Sequence, residues 1–69
     1  MKTSARNQFR GTIRDIMRGP VSAEVTIEIG PGIRMVAVIS SRSADGLGLA
    51  VGKEAYALVK ASNVIVAID

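Results

Sequence analysis

The most regular pattern in the chain is residues 21–29, where Val21, Ala23, Val25, Ile27 and Ile29 alternate with Ser22, Glu24, Thr26 and Glu28. A period of two places the five apolar residues on one face of an extended segment and the polar ones on the other. This predicts a strand with one face in a core and one face in water. Arg18-Gly19-Pro20 before it and Gly30-Pro31-Gly32 after it read as turns, the second short enough for a hairpin. The run that follows, residues 33–40, has a different pattern. Ile33, Met35, Ala37 and Ile39 share one face, but Val36 and Val38 stand with Arg34 and Ser40 on the other. A strand with two partly apolar faces is expected to be covered on both sides, the second cover being another subunit.

The remaining elements are less regular. Residues 9–17 are rich in strand-forming types, but Phe9, Gly11, Ile13 and Asp15 fall together, so the alternation is imperfect. Gly11 within the run predicts a bulge or bend. Residues 41–49 lose the strand pattern. A serine at the start suits a helix cap, an acid suits the first turn, and Gly46 and Gly48 limit the length. Leu47 and Leu49 are placed to plug one end of a barrel. Residues 54–60 resume alternation, Ala55, Ala57 and Val59 opposing Tyr56 and Leu58. Val64-Ile65-Val66-Ala67-Ile68 is a continuous apolar run and reads as a fifth strand. Five strands with a short helix between the third and fourth predict an all-β fold, a small OB-like five-stranded β-barrel. It is expected as one domain over residues 1–69.

Composition changes the picture in one respect, the need for partners. A 69-residue chain buries a modest share of its surface and usually needs a further support. It has no cysteine and no histidine, so disulfides are excluded and a zinc site is disfavoured. Oligomerisation remains, and 48% hydrophobic residues is a surplus for so small an interior. The longest apolar run of the third strand, residues 35–39, is far below the ~20 residues that span a bilayer. Lys2 is followed by no apolar leader core, so a cytoplasmic location and no membrane partner are expected.

The net charge of +3 favours anionic partners without naming one. Catalysis has little support. There is no histidine or cysteine, the acids do not pair in an apolar setting, and no phosphate-cradling loop is present. An OB-type nucleic-acid-binding module is the alternative reading, but Phe9 and Tyr56 are the only aromatic residues available for stacking bases. A purely structural oligomerisation domain is a third. Two polar clusters favour a small oxyanion instead. Ser4-Ala5-Arg6-Asn7-Gln8 combines a hydroxyl, a guanidinium and two amides, and Lys60-Ala61-Ser62-Asn63 repeats that chemistry near the other end. Arg and Lys are donors without acceptors, and Ser40, Ser43 and backbone N–H groups near Ala5 and Ala61 would add uncharged donors.

These stretches, with Ala23-Glu24-Val25, Ile39-Ser40-Ser41-Arg42-Ser43, Leu47-Gly48-Leu49 and Lys60-Ala61-Ser62-Asn63-Val64, resemble the molbindins, small molybdate-binding proteins related to TOBE-type domains. The resemblance covers nearly the whole chain. It implies an OB-like barrel that assembles as a homohexamer, a trimer of dimers, with molybdate or tungstate as the bound ligand between subunits. It assigns Ser4, Ala5 and Arg6 to the first motif of that site, Lys60, Ala61 and Ser62 to the second, and Ser40 and Ser43 to hydroxyl positions after the third strand. Arg6 and Lys60 are expected to act on one dianion from different subunits. The implied role is molybdenum storage or homeostasis without catalysis, and without nucleic acid.

Overall fold

A computed structural model describes residues 1–69. The elements are β1 (Asn7–Arg18), β2 (Ser22–Gly30), β3 (Ile33–Ser40), α1 (Ser41–Gly46) and β4 (Glu54–Val59), followed by a 3₁₀ turn over Ala61–Asn63. The strands form one antiparallel sheet in the order β3-β2-β1-β4. The OB-like, mostly β architecture with one short helix between the third and fourth strands is as expected.

The strand count is four, not five. Residues 64–68 pair with no strand, and Ile65, Val66 and Ile68 are 91%, 86% and 93% exposed. Their β-branched content predisposes them to a strand, yet a strand needs an edge to pair with. Within the chain these residues reach none. The edges of β3 and β4 are both left open.

The irregular β1 has a specific cause. Ile13 pairs with Ile27 and Asp15 with Thr26, so Arg14 is an extra residue on β1. Such a bulge shifts the phase of alternation by one. Ile13 and Ile16 therefore both turn inward, and Asp15 turns out to solvent. The bulge lies at Arg14 rather than at Gly11. Gly11 serves a different purpose: a Cβ there would sit 2.3 Å from the Glu28 carbonyl oxygen. Its lack of a side chain lets β1 and β2 approach at the crossing point.

The core is small. Ile13, Val25, Ile27 and Ala57 form its centre, with Ile16, Ile29, Met35, Ile39, Leu49 and Ala55 packed around them. Ala23 and Ala44 are the other buried residues, Ala44 seating α1 on the sheet. Val21 lies before β2 and is exposed, and Leu47 is 69% exposed, so of the two leucines only Leu49 plugs the core. On β3 the inward residues are half-buried, while Val36 and Val38 are 60% and 70% exposed on the outer face. The two-faced pattern read from residues 33–40 is thus present, with its second face uncovered in a single chain. No helix is long and apolar enough to cross a membrane.

Candidate functional site

The ladder between β1 and β4 begins at Asn7 opposite Val59. One step further along each chain come Arg6 and Lys60, then Ala5 and Ala61, then Ser4 and Ser62. Pairing stops at Asn7, but its register delivers both polar motifs to the same end of the sheet. The Asn7 amide ties that end together, its Nδ2 donating to the Val59 carbonyl at 3.2 Å. A single chain therefore carries Arg6 and Lys60 at the same end of the sheet, each one residue beyond the last ladder pair.

Most of the arginines on the sheet are neutralised, unlike the two cations at this end. Arg10, Arg14, Arg18 and Arg34 each face a carboxylate, of Glu54, Glu28, Asp45 and Glu28 respectively. The Arg10 guanidinium is held above its ordinary pKa, first by its hydrogen bond to the Glu54 carboxylate and then by that group's charge. Lys53 donates to the Gly48 carbonyl at 2.9 Å. Arg6 and Lys60 have no such partner; both are exposed, and neither makes an ion pair within the chain. Their positive charge is uncompensated and their donors are available.

The backbone at this end is divided. The Ala5 N–H donates to Thr3 Oγ1 at 3.1 Å, and the Ala5 carbonyl accepts from Gln8 Nε2 at 3.0 Å. Ala5 thus fixes the arm and its N–H is not free for a ligand. Lys60 caps the 3₁₀ turn with no side-chain bond, and the chain provides no backbone acceptor for the N–H groups of Ala61 and Ser62. The second motif, not the first, supplies open backbone donors.

Ser40 and Ser43 are elsewhere. Ser40 pairs with Ser22 at the start of β2, beside the end of β1 at Arg18. The 12 residues of β1 separate the two places, so Ser40 and Ser43 lie at the opposite end of the sheet from Arg6. Ser40 is the N-cap of α1, its Oγ accepting from the Ser43 N–H at 3.0 Å and donating to Ser43 Oγ at 2.7 Å. The cap reading of the sequence holds for Ser40. The acid does not lie in the first turn: Asp45 is near the other end of α1, where it accepts from Arg18 at 2.7 Å. Because the Ser40 hydroxyl proton is committed to Ser43, the Ser43 O–H is the one left to donate outward.

Arg42 was not among the residues assigned from sequence. It is exposed in the first turn of α1, between the two serines of interest, and has no carboxylate partner. The signal was its place in the run Ser40-Ser41-Arg42-Ser43; what sequence alone does not reveal is which arginines are already paired. No group of three or more potential metal-ligating side chains exists. The arrangement suits recognition of an anion through N–H and O–H donors.

The chain combines a curled OB-like sheet with an uncompensated cluster of donors at one end. Comparison with known proteins places it: the TOBE domain family matches residues 3–66, and the chain belongs to that family. It is 45% identical to a probable molybdenum-pterin-binding protein of Haemophilus influenzae over 69 residues, the full length of both. MopII from Clostridium pasteurianum superposes with a TM-score of 0.91 at 37% identity, covering 97% of this chain and 100% of that one. The cytoplasmic molybdate-binding protein ModG, solved with molybdate bound, superposes with a TM-score of 0.83 at 51% identity, covering 88% of this chain and 43% of ModG. The chain spans about a quarter of the length of the curated ModE molybdenum transport proteins it matches.

Proposed function

We propose that this protein binds molybdate or tungstate as an intact tetrahedral dianion, without catalysis, in cytoplasmic molybdenum storage or homeostasis. The observation that carries the reading is the register that brings Arg6 and Lys60 to one end of the sheet, both without an ion-pair partner, in a chain whose other arginines on the sheet face carboxylates. Arg6 supplies a planar fork and Lys60 a compact charge. Ser4, Ser62 and the N–H groups of Ala61 and Ser62 add uncharged donors. The relatives named for molybdenum and molybdate support the choice of anion.

Ser40 and Ser43 cannot reach this end of their own chain, so their contribution comes from a second copy. In the assembled site Arg6 and Lys60 of one copy face Ser43 of its neighbour, with Arg42 adding a third cation. Closed symmetry repeats the arrangement, and a homohexamer built as a trimer of dimers is the assembly we assign. Donors without a carboxylate acceptor favour a fully deprotonated anion over hydrogenphosphate. Sulfate carries no proton either, so cavity size must reject it, which leaves molybdate and tungstate bound alike. The nucleic-acid alternative gains no support: Phe9 pairs with Ala57 and Tyr56 with Arg10 on the sheet, and the unpaired cations lie away from them at the termini and in α1.

Native mass spectrometry with and without molybdate tests the reading. It should show a hexamer that gains mass in steps of one molybdate. A stable monomer, or a hexamer that takes up no anion, would contradict it.

A further inference from the structure

The motif Ser4-Ala5-Arg6-Asn7-Gln8 holds two carboxamides that the anion reading leaves without a role. Both are bonded within the chain. Asn7 Nδ2 donates to the Val59 carbonyl at 3.2 Å, across the ladder and 52 residues away in sequence. Gln8 Nε2 donates to the Ala5 carbonyl at 3.0 Å, three residues back along its own arm. Adjacent strand residues point to opposite faces, so the two amides serve different neighbours. The acceptors nevertheless share a property. Ala5 is the residue before Arg6, and Val59 is the residue before Lys60.

A peptide unit is planar, so a carbonyl held by a hydrogen bond also orients the N–H and Cα that follow it. Gln8 therefore sets the plane from which Arg6 departs, and Asn7 sets the plane from which Lys60 departs. Further bonds complete each anchor. The Ala5 N–H is held by Thr3 Oγ1 at 3.1 Å, so both sides of Ala5 are fixed. The Lys60 carbonyl accepts from the Asn63 N–H at 2.8 Å, so the peptides on both sides of Lys60 are fixed. The cationic groups themselves make no ion pair within the chain. Each cation thus has an anchored backbone and a free head group. An unanchored arm would have to be ordered when the anion binds, at a cost in affinity. The residue type fits this task. An ionised Asp or Glu only accepts, so it could not hold a carbonyl, and it would set a negative charge beside the cations. A carboxamide donates without charge.

We infer that Asn7 and Gln8 are positioning residues of the anion site, Gln8 acting through Arg6 and Asn7 through Lys60, which rests on the reading of those two cations as the ones that hold the dianion. Neither amide touches the anion. Each keeps one cation aimed before the anion arrives, and the two act independently because they hold separate peptides.

The test is a set of double-mutant cycles read by calorimetric titration with molybdate, on full-length chains whose far-UV spectrum and native mass match wild type. Gln8→Met keeps the length of the side chain and removes its donor; Asn7→Ala removes the shorter amide. A neutral hydrogen bond has a modest net worth, so each substitution should weaken molybdate binding about two- to tenfold. Gln8→Met should keep that effect in a Lys60→Met chain and lose it in an Arg6→Ala chain. Asn7→Ala should do the reverse, losing its effect in Lys60→Met and keeping it in Arg6→Ala. An amide that only stabilised the fold would lower the melting temperature without this crossed pattern. Unchanged affinity in both single variants overturns the inference. So does an amide effect that persists in both backgrounds, which would mark direct contact with the anion. If Asn7→Ala does not fold, the Gln8 cycles decide, because Gln8 is exposed and its loss leaves no buried group unpaired. Wild type that takes up no molybdate would overturn the anion reading and this inference together; wild type that binds no better than the amide variants would overturn the positioning alone.

Discussion

The two ends of the sheet use the same kinds of residue for opposite purposes. At the α1 end, Ser40 bonds Ser43, Ser41 Oγ donates to the Gly19 carbonyl at 2.7 Å, and Arg18 reaches both Asp45 and the Leu49 carbonyl. Hydroxyl, guanidinium and carboxylate there lock the helix to the turn between β1 and β2. At the end where β1 begins and β4 finishes, Ser4, Arg6, Lys60 and Ser62 make no side-chain bond to the rest of the chain. A serine or arginine already satisfied within the fold is structural; one left with open donors is a candidate for a ligand. Residue type does not separate the two, but partner inventory does.

Breaking the scaffold common to both ends should have the largest effect. Ile13 is fully buried and pairs with Ile27 at the centre of the core. Ile13→Ala should lower unfolding free energy by about 2–5 kcal/mol, read by chemical denaturation at fixed protein concentration. Both ends should weaken together. Gly11→Ala should come next. Its new methyl meets the Glu28 carbonyl, so β1 and β2 must move apart. A loss of about 1–3 kcal/mol in the same measurement is expected. A neutral effect would show that the strands approach less closely than described.

The serines sharpen the comparison directly. Ser40→Ala removes the cap of α1 and should cost about 1 kcal/mol of stability. Ser62→Ala, which removes no bond within the chain, should change stability by less than about 0.5 kcal/mol while weakening molybdate binding. Equal stability losses in thermal melts would erase the distinction between the two ends. A small effect should also come from Asp45→Asn. The Arg18–Asp45 pair is exposed, 45% and 71% on the two side chains, so its loss should cost no more than about 1 kcal/mol and less in high salt.

Much of this fold was legible in the sequence where one face is buried and one is wet. The alternation in residues 21–29 placed β2 to within a residue, and the two turns around it set β3 at residues 33–40. The bulge at Arg14 was not legible, because a bulge is a relation between two strands and Ile27 and Thr26 define it from across the sheet. The fifth strand was read correctly as a propensity and wrongly as a pairing, since β-branched residues announce a strand without saying which chain supplies its edge. In the site, the two motifs were visible from their donor chemistry. That Arg6 and Lys60 lie at one end of the sheet follows only from the Asn7–Val59 register, and that Ser40 lies at the other follows from its pairing with Ser22.

The central claim is that Arg6 and Lys60 hold one dianion, and calorimetric titration tests it most directly. Wild type, Arg6→Ala and Lys60→Met are titrated with molybdate, tungstate, sulfate and phosphate. Hydrogen bonds to charged groups contribute roughly 1.5–3 kcal/mol each, so each substitution should weaken molybdate binding about tenfold or more. Both variants should keep the wild-type far-UV spectrum, because neither side chain has a partner within the chain. Wild type should bind molybdate and tungstate alike, and sulfate and phosphate more weakly. Unchanged molybdate affinity in both variants, or a preference for phosphate, would contradict the account.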